Sequence, residues 1–386
     1  MTGLRRTIDM CAQSIINGPS TQAVSEWTNF NTEKVVQPHT RIKRVAWIEY
    51  FTIISALAVV LVHVVHGIIV TATDPSVWWA GNIVDSMARW AVPVFVMMSG
   101  YLLLDPERDY TLGSFYKKRA ARILVPLVFW SVFFAAFSLV LGTIDHQPAG
   151  LKEIGLSILN GKPFYHLWYL YMLVGLYLFA PFIRKMVAST SKRELVFICI
   201  VLILFPVAVN AANYFHYDIY DQVTNGSLFI TWFLSYLGYF IAGHLLIRTV
   251  TIKLGLATLI TIFTVSVLLT AGGCYFLTAR HSYELGQFFG SYLSPTVVPM
   301  SLSAYLIGKK IFTRLPGNKF VSRASIWMLG VYVIHPFFIE VFNRIGFEPL
   351  KFNPLVGIPL VTLCIFLISL ALAVAIKQIK YIKYTI

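Results

Sequence analysis

Continuous apolar stretches of about twenty residues dominate this sequence and leave few folds open to it. At 1.5 Å per residue, a helix of that length crosses a hydrocarbon core of about 30 Å. Only 12% of the 386 residues are charged, against about 25% in a soluble domain, so the charges are too few to cover a water-facing surface. A transmembrane β-barrel needs segments of alternating polarity, and the apolar stretches here are continuous. The sequence therefore predicts an all-α integral membrane protein.

Ten segments are long and apolar enough to form one bundle of transmembrane helices. They cover approximately residues 46–71, 83–104, 120–141, 166–183, 195–213, 227–247, 253–277, 287–308, 325–343 and 356–376. With the N-terminus inside, 25 of the 31 basic residues fall at the cytoplasmic end of the bundle. The positive-inside rule then predicts that both termini are cytoplasmic. Because the charges of this chain lie in short loops at one membrane face, nucleic acid is a poor explanation for its net charge of +14.

The chain divides into three parts by composition. Residues 1–45 are polar and contain no apolar run of signal-peptide length, which predicts a cytoplasmic tail. Residues 46–378 hold the ten spans as one membrane domain, and residues 379–386 form a short basic cytoplasmic C-terminus. No internal repeat is evident, although many secondary transporters are built from repeats.

Motifs for metals, disulfides and nucleotides are absent from the sequence. The four cysteines lie in separate segments, at Cys11, Cys199, Cys274 and Cys364. No CxxC motif or Cys/His cluster predicts a disulfide framework or a metal site, and there is no Walker A loop. His216 and Asp221 form an HxxxxD, the spacing of glycerolipid acyltransferases, but they fall in a predicted outer loop, away from cytoplasmic acyl-CoA.

Ionisable side chains inside the spans are candidates for function, because burying them in hydrocarbon is costly. His63 lies sixteen residues after Trp47, about 24 Å along the first helix and in the outer half of the membrane. A neutral imidazole at that depth can take a proton from a hydroxyl if a partner fixes its tautomer. A histidine that only forms a hydrogen bond between helices explains the same residue equally well.

Other polar groups in the spans allow both a chemical and a structural interpretation. Asp85 and Arg89 are four residues apart, so they share one helix face and can pair. Glu340 and Arg344 have the same spacing, and there a structural pair is favoured. His335 precedes a proline, which frees a backbone carbonyl in the helix. Helix packing explains His335 at least as well as catalysis.

A basic cluster opens the third span at its predicted cytoplasmic end. Arg119 and Arg122 are three residues apart, and Lys117 and Lys118 precede them. The positive-inside effect alone explains such residues at many helix ends. Guanidinium groups on one helix face also bind phosphate with two hydrogen bonds each, so the cluster is also a candidate site for a phosphate-bearing donor.

Five short motifs occur in order on separate spans. They are the stretch from Trp47-Ile48-Glu49 to His63, residues 89–100 (RWAVPVFVMMSG), Arg119 and Arg122 with Pro126, residues 166–170 (HLWYL) and residues 330–335 (GVYVIH). Each motif alone is a weak signal in apolar sequence, but the ordered set is specific. Together, over about residues 46–378, they resemble the acyltransferase-3 family of integral membrane acyltransferases. The chain looks most similar to the branch containing the enterobacterial-common-antigen O-acetyltransferase.

The resemblance implies a membrane-bound O-acyltransferase of the bacterial cytoplasmic (inner) membrane that uses no metal. Its donor would be acyl-CoA, most often acetyl-CoA, and its acceptor a hydroxyl of a surface or exported polysaccharide. The catalytic residues that it implies are His63, Arg89 and His335, with His63 as general base or as carrier of the acyl group. The residues expected to bind the CoA phosphates are Arg119, Arg122 and Lys118. Those expected to contact the carbohydrate or line its cavity are His166, Trp168, Tyr169, Glu340 and Asp85.

Thr52 departs from the family pattern. The family has an Arg or Lys eleven residues before the first-span histidine, and that position is Thr52 here. Positions 52 and 63 share a helix face about 16 Å apart, so a cation at 52 would line the donor's path. In this chain the cation is either missing or supplied elsewhere, for example by Lys43, Arg44 or the arginine pair.

Two other functions fit the same sequence. One is a secondary transporter or flippase-like exporter of a glycan intermediate, with buried His, Asp and Glu as a proton path. The other is an inactive accessory subunit of a polysaccharide-synthesis complex, which the departure at Thr52 allows. Membrane lipid and polysaccharide-synthase machinery are the further expected partners. The sequence leaves the acceptor open among O-antigen, common antigen, cellulose or another exopolysaccharide, and periplasmic glucans.

Overall fold

The computed structural model describes residues 45–107, 111–147, 150–215 and 229–386, and every regular element in these ranges is helical. The first seven α-helices are α1 Ala46–Thr71, α2 Pro75–Ala88, α3 Ala91–Leu103, α4 Leu112–Ile144, α5 Leu151–Leu159, α6 Trp168–Ser189 and α7 Lys192–Phe215. The next seven are α8 Leu237–His244, α9 Leu256–Arg280, α10 Tyr283–Gly290, α11 Val297–Phe312, α12 Lys319–Ile326, α13 Met328–Arg344 and α14 Pro354–Gln378. Short 3-10 helices cover Phe229–Tyr236, Pro349–Lys351 and Ile382–Tyr384, and a π-helical turn covers Leu245–Thr249.

Seven helices of the described chain are long and apolar enough to cross a membrane. They are α1, the α2–α3 pair taken as one, α4, α6, α7, α9 and α14. The α12–α13 pair, bent by 56°, forms an eighth if both helices belong to one span. The predicted all-α membrane class is therefore confirmed. The number of ten crossings and the cytoplasmic position of both termini remain predictions.

Two of the ten predicted spans consist of shorter helices. The segment at 227–247 contains a 3-10 helix, α8 and the start of the π-helical turn, and the segment at 287–308 contains the end of α10 and most of α11. Pro295 lies between α10 and α11. A proline has no N–H to continue a helix and clashes with the preceding turn, so the α10–α11 segment is interrupted there.

Some predictions from the sequence concern positions outside the described residues. These positions are the polar tail up to residue 44, Arg108 and the HxxxxD pair of His216 and Asp221. At the other end of the chain, residues 379–386 pack against the membrane domain. The Trp130 indole donates a hydrogen bond to the Thr385 carbonyl at 2.8 Å, and Ile386 is buried.

A proline also breaks the second predicted span beside a candidate site residue. Pro93 lacks the N–H that would bond the Arg89 carbonyl, and its ring would clash with that carbonyl in a regular helix. Accordingly α2 ends at Ala88 and α3 begins at Ala91. Arg89 therefore lies at the break, where a long polar side chain can leave the regular helix surface.

The central helix of the bundle is α1. It contacts α2, α3, α11, α12, α13 and α14, and Val60 and Val65 on it are fully buried. Next to it, α3 and α8 cross with their backbones in contact. A Cβ atom at Gly100 of α3 would lie 1.7 Å from the Phe240 carbonyl oxygen of α8, so only glycine fits at this crossing.

The outward face of the bundle is apolar. On α7, Phe197, Leu204 and Phe205 are each more than half exposed. Water would disfavour a contiguous apolar surface of this kind, whereas hydrocarbon accommodates it. The exposed face of α7 is therefore the face expected to contact lipid.

Candidate active site

Three histidines from distant parts of the chain meet inside the bundle. His63 lies on α1, His335 on α13, and His166 immediately before α6. The His63 and His335 ring centroids are 5.2 Å apart, and those of His166 and His335 are 5.7 Å apart. The structure thus brings together three residues that the sequence singled out separately.

His335 is the most firmly oriented of the three. Its ring is fully buried, and Nδ1 lies 3.2 Å from the Val331 carbonyl oxygen one turn earlier on α13. Because a carbonyl only accepts, Nδ1 carries the proton and Nε2 carries the lone pair. Nε2 is buried and has no hydrogen-bond partner among the described residues. A buried imidazole with its tautomer fixed and its other nitrogen unpaired is suited to accept a proton.

His166 is held mainly through its backbone and ring faces. The Tyr332 hydroxyl donates to the His166 carbonyl, and the Phe134 ring packs edge-on against the imidazole at 4.9 Å between centroids. The His166 side chain is buried, and within the described ranges its ring nitrogens make no hydrogen bond of good geometry. A buried polar ring without a hydrogen bond costs free energy unless a ligand binds it. Because His166 also lies next to His335, it is a candidate contact for substrate.

His63 is partly exposed, unlike its two neighbours. Its ring lies 5.0 Å from that of Tyr165, measured between centroids, and Tyr165 keeps half of its surface exposed. The Tyr165 side of the cluster is therefore the accessible side, and His335 forms the buried wall behind His63. A substrate that approaches past Tyr165 would meet His63 before it meets His335.

The predicted pair of Asp85 and Arg89 is present and buried. Arg89 Nε and Nη2 lie 2.7 and 2.6 Å from Asp85 Oδ2. The other carboxylate oxygen, Asp85 Oδ1, is buried, and the described part of the chain offers it no hydrogen-bond partner. The guanidinium also lies within electrostatic range of His63 and packs beside Gly290. A cation and an unsatisfied carboxylate oxygen thus lie next to the histidine cluster.

Glu340 and Arg344 form the ion pair that their spacing predicts, and a third residue joins them. Arg344 Nε lies 2.6 Å from Glu340 Oε1, while the two terminal nitrogens bind both Asp145 oxygens at 3.0 and 2.7 Å. The guanidinium hydrogen bonds hold the pKa of the Asp145 carboxyl below its usual value. Arg344 therefore ties the ends of α4 and α13 together, which is a structural role for at least part of the pair.

Aromatic rings extend from the histidines toward the start of α6. Trp168 packs against Tyr236 and Tyr292, with centroids 5.7 and 6.0 Å away, and Tyr169 lies 5.6 Å from Tyr332. Four of these rings, Trp168, Tyr169, Tyr292 and Tyr332, pack against the buried Val59, Val62 and Ala88 of α1 and α2. Flat rings with polar edges suit the mixed apolar and hydroxylated faces of a sugar.

The three basic residues expected to bind phosphate lie in different surroundings. The Arg119 guanidinium lies between the rings of Phe115 and Tyr177, 5.6 and 5.5 Å from their centroids. Arg122 and Lys118 are instead exposed at the helix surface. A phosphate group would have to draw Arg119 and Arg122 together from these positions.

Sequence reasoning missed several residues of the site. Tyr332 is three residues before His335, so helical spacing could have placed it on the same face, and Tyr165 directly precedes His166. The bond from Asp145 to Arg344 joins residues 199 positions apart, and no local pattern predicts it. Within the described ranges, no group of three His, Cys, Asp or Glu side chains is arranged to hold a metal ion.

The fold and the site together define a polytopic membrane protein with a histidine cluster buried between its helices. The sequence profile of the acyltransferase-3 family, described as an acyltransferase domain, matches residues 45–377. The chain belongs to this family and is a membrane acyltransferase. Comparisons with curated proteins and with solved structures give no match. The branch suggested by the sequence motifs remains a prediction.

Proposed function

We propose that this protein is an O-acyltransferase of the bacterial inner membrane. It takes an acyl group, most simply acetyl, from acyl-CoA on the cytoplasmic side and transfers it to a hydroxyl of a surface or exported polysaccharide. The observation that carries the proposal is the contact of His63 with His335 inside an acyltransferase domain, with the His335 Nε2 lone pair unpaired. Two adjacent imidazoles can take up and pass on the proton that a hydroxyl must lose.

In the proposed reaction His63 is the general base. It removes the proton of the acceptor hydroxyl as the oxygen attacks the thioester carbonyl carbon. The tetrahedral intermediate collapses, the carbon–sulfur bond breaks, and the CoA thiolate leaves and takes up a proton. At a centroid separation of 5.2 Å the edges of the two imidazoles can reach hydrogen-bond distance, so His335 orients His63 or shares its proton.

Arg89 supplies the positive charge of the proposed site. Its guanidinium stabilises the oxyanion of the intermediate or orients His63, and Asp85 holds it in position through Oδ2. Burial of the ion pair supports this role, because a charge acts more strongly where water is excluded. The remaining Asp85 oxygen is available to accept a hydrogen bond from an acceptor hydroxyl.

The donor and acceptor are proposed to bind at opposite ends of this cluster. On the cytoplasmic side the CoA phosphates contact Arg119, Arg122 and Lys118. On the outer side the carbohydrate contacts His166, Trp168, Tyr169 and Glu340. The ring packing of Trp168 and Tyr169 next to the histidines supports a carbohydrate subsite there.

A covalent route satisfies the same geometry. In that route the His63 imidazole attacks the thioester, CoA leaves, and the acceptor hydroxyl then attacks the acyl-imidazole. Single-turnover reactions with radiolabelled acetyl-CoA, quenched without acceptor, distinguish the two routes. Label bound to wild-type protein but not to His63→Ala supports the covalent route, and no label on either supports direct transfer.

The proposal as a whole is tested with protein in nanodiscs, radiolabelled acetyl-CoA and polysaccharide fragments. The expected result is label on the carbohydrate that hydroxide releases, as an ester requires. Reactions without protein and with an acceptor whose hydroxyls are blocked are the controls. If no carbohydrate acceptor gains label while the protein moves a glycan across the bilayer, the transporter alternative replaces this proposal.

A further inference from the structure

Four helix ends converge at the predicted cytoplasmic side of the bundle and assemble a second polar cluster. Trp47 lies in the first turn of α1, and Tyr101 and Asp105 lie at and beyond the end of α3. Arg248 lies in the π-helical turn after α8, and Lys309 lies near the end of α11. Trp47 and Tyr101 pack at 5.4 Å between centroids. We call these five residues the α1–α11 cluster. No motif discussed above includes Asp105, Arg248 or Lys309.

Two cations of the α1–α11 cluster lie against aromatic rings. The Arg248 guanidinium lies 4.7 Å from the Tyr101 centroid, and the Lys309 ammonium 5.1 Å from the Trp47 centroid. Arg248 forms an ion pair with Asp105 at 2.8 Å. Within the described ranges no carboxylate lies within ion-pair distance of Lys309, which is only partly exposed. The cluster thus holds an excess of positive charge.

The two cations also lie within electrostatic range of each other. Like charges repel, and the partial burial of Lys309 weakens the screening that water would supply. Asp105 neutralises only one of the two cations, so a bound anion would offset the repulsion that remains. Arg248 is moreover placed by a π-helical turn, an irregularity that is frequent at functional sites.

Two buried polar atoms near the cations have no hydrogen-bond partner in the part of the chain that the structure describes. The Trp47 indole N–H is one, on a side chain with 3% exposure. Nδ1 of His244 is another, on a side chain with 4% exposure, one helical turn before Arg248. Leaving a buried polar group unpaired costs about 1–3 kcal/mol, which a ligand with hydrogen-bonding oxygens would remove.

We propose that the α1–α11 cluster is a phosphate-binding site and that it holds a phosphate group of the acyl donor. This inference rests on the proposed function, because it assumes that the donor is acyl-CoA. CoA carries a 3′-phosphate and a separate diphosphate, so it can use two cationic positions. Arg119 packs on the Tyr177 ring, and the Tyr177 hydroxyl lies 3.5 Å from Ser99 Oγ of α3. Arg248 packs on Tyr101, two residues further along α3. The last turn of α3 therefore lies between the two positions.

The proposal also explains the absence of a cation at Thr52. Trp47 and Thr52 lie on α1, below His63, and the Thr52 hydroxyl contacts the Met98 sulfur of α3 at 3.9 Å. Lys309 lies over Trp47, one and a half turns from Thr52 toward the start of α1. A phosphate held there leaves the length of α1 up to His63 for the extended pantetheine arm.

Calorimetric titration of CoA into the full-length protein in phosphatidylcholine nanodiscs tests the site. Lys309→Gln is the main variant, because it breaks no ion pair among the described residues and replaces the ammonium group with a neutral polar amide. We expect it to raise the Kd for CoA about tenfold, the effect of one charge-assisted hydrogen bond. Lys310→Gln, at the exposed neighbouring position, is the matched control and should bind CoA as wild type does. Pantetheine has no phosphate, so its Kd should be equal in all three proteins.

Equal CoA affinity in wild type and Lys309→Gln overturns the proposal, as does an equal loss of pantetheine binding. Lipid headgroups carry the same phosphate chemistry, so the titration is repeated in nanodiscs that contain phosphatidylglycerol. A Lys309→Gln effect on CoA affinity confined to the anionic discs assigns the cluster to lipid and also overturns the proposal. If wild type binds no CoA in either disc, the donor in the proposed function is wrong. If wild type binds CoA and the variant binds it equally, only the site is wrong.

Discussion

The imidazole rings of His63 and His335 lie 5.2 Å apart, although they belong to α1 and α13. The two rings differ in what surrounds them. His335 is fully buried and bonded through Nδ1 to the Val331 carbonyl, whereas His63 is partly exposed and contacts Tyr165. In the proposed reaction, this asymmetry favours a substrate-facing role for His63 and a supporting role for His335, and each role can be tested by itself.

The first prediction concerns His63. His63→Ala should lower single-turnover acyl transfer by roughly 10²–10⁴-fold, the contribution of a general base. The Tm in nanodiscs should change little, because the ring is partly exposed at the accessible side of the cluster. His66→Ala is the control, since His66 is exposed and contacts Tyr283 rather than the cluster. Near-wild-type turnover in His63→Ala would remove this residue from the mechanism.

The second prediction separates the two nitrogens of His335. His335→Asn places an amide N–H near the position of Nδ1, so the bond to the Val331 carbonyl can be kept, while the Nε2 lone pair is lost. We expect turnover to fall about 100-fold, with the KM for acyl-CoA unchanged. His335→Ala, which loses both nitrogens, should fall further and also lose thermal stability. If His335→Asn turns over at the wild-type rate, Nε2 takes no part in proton transfer.

The sequence predicts those parts of the site that depend on residues close together in the chain. The Asp85–Arg89 pair depends only on a spacing of four residues within one stretch of chain, so it was predictable. The apolar stretches likewise predicted the helices, because each depends on its own composition. The histidine contacts depend on how helices distant in sequence pack. From the sequence, His63 could be identified only as an ionisable residue at a position where burial in hydrocarbon costs free energy. Residue spacing alone could not show that it meets His335.

The same argument accounts for the parts of the fold that differ from expectation. Breaks within predicted spans depend on single prolines, such as Pro93 and Pro295, whose effect on an apolar stretch is local and can be missed by a hydropathy window. The sequence does not predict the α1–α11 cluster, because the positive-inside rule alone explains Arg248 and Lys309 as basic residues of two different loops. Only the packing of α8 against α3 and of α11 against α1 brings them together.

The third prediction concerns the donor. Substituting Arg119 and Arg122 together with Ala should raise the KM for acyl-CoA and change kcat less, since these side chains are proposed to bind the CoA phosphates. The same substitutions should not alter the KM for S-acetyl-pantetheine, which has no phosphate. Arg122→Ala alone, at an exposed position, separates phosphate binding from the ring packing that Arg119 makes with Tyr177. Equal affinity for CoA and for dephosphorylated analogues in wild type would contradict the phosphate role.

The fourth prediction is a pH dependence at the C-terminal end of α4. Arg344 lowers the pKa of the Asp145 carboxyl from its ordinary value of 3.8, so the ion pair stabilises the fold above that pH and is lost as the pH falls through the lowered pKa. Asp145→Asn should therefore lower the Tm slightly at neutral pH, and the difference from wild type should vanish in acid. Glu348→Gln is the control, because its contact with Lys351 is longer, at 4.0 Å. A Tm difference that persists in acid would assign the effect to something other than this ion pair.

The last prediction concerns Thr52, where this chain departs from the family pattern. Thr52 is partly buried against Met98 and shares the face of α1 that leads to His63. If Lys309 and Arg248 already supply the charge for the donor, Thr52→Arg adds a third cation and a long side chain to the donor's path. The variant should fold, because an arginine near the end of a span can extend its charge toward the water at that end of the helix. We expect slower single-turnover acetyl transfer than in wild type, measured in the same nanodiscs, with Thr52→Gln as a control for length without charge. A large gain in turnover would show instead that the natural enzyme is weakened by the missing cation.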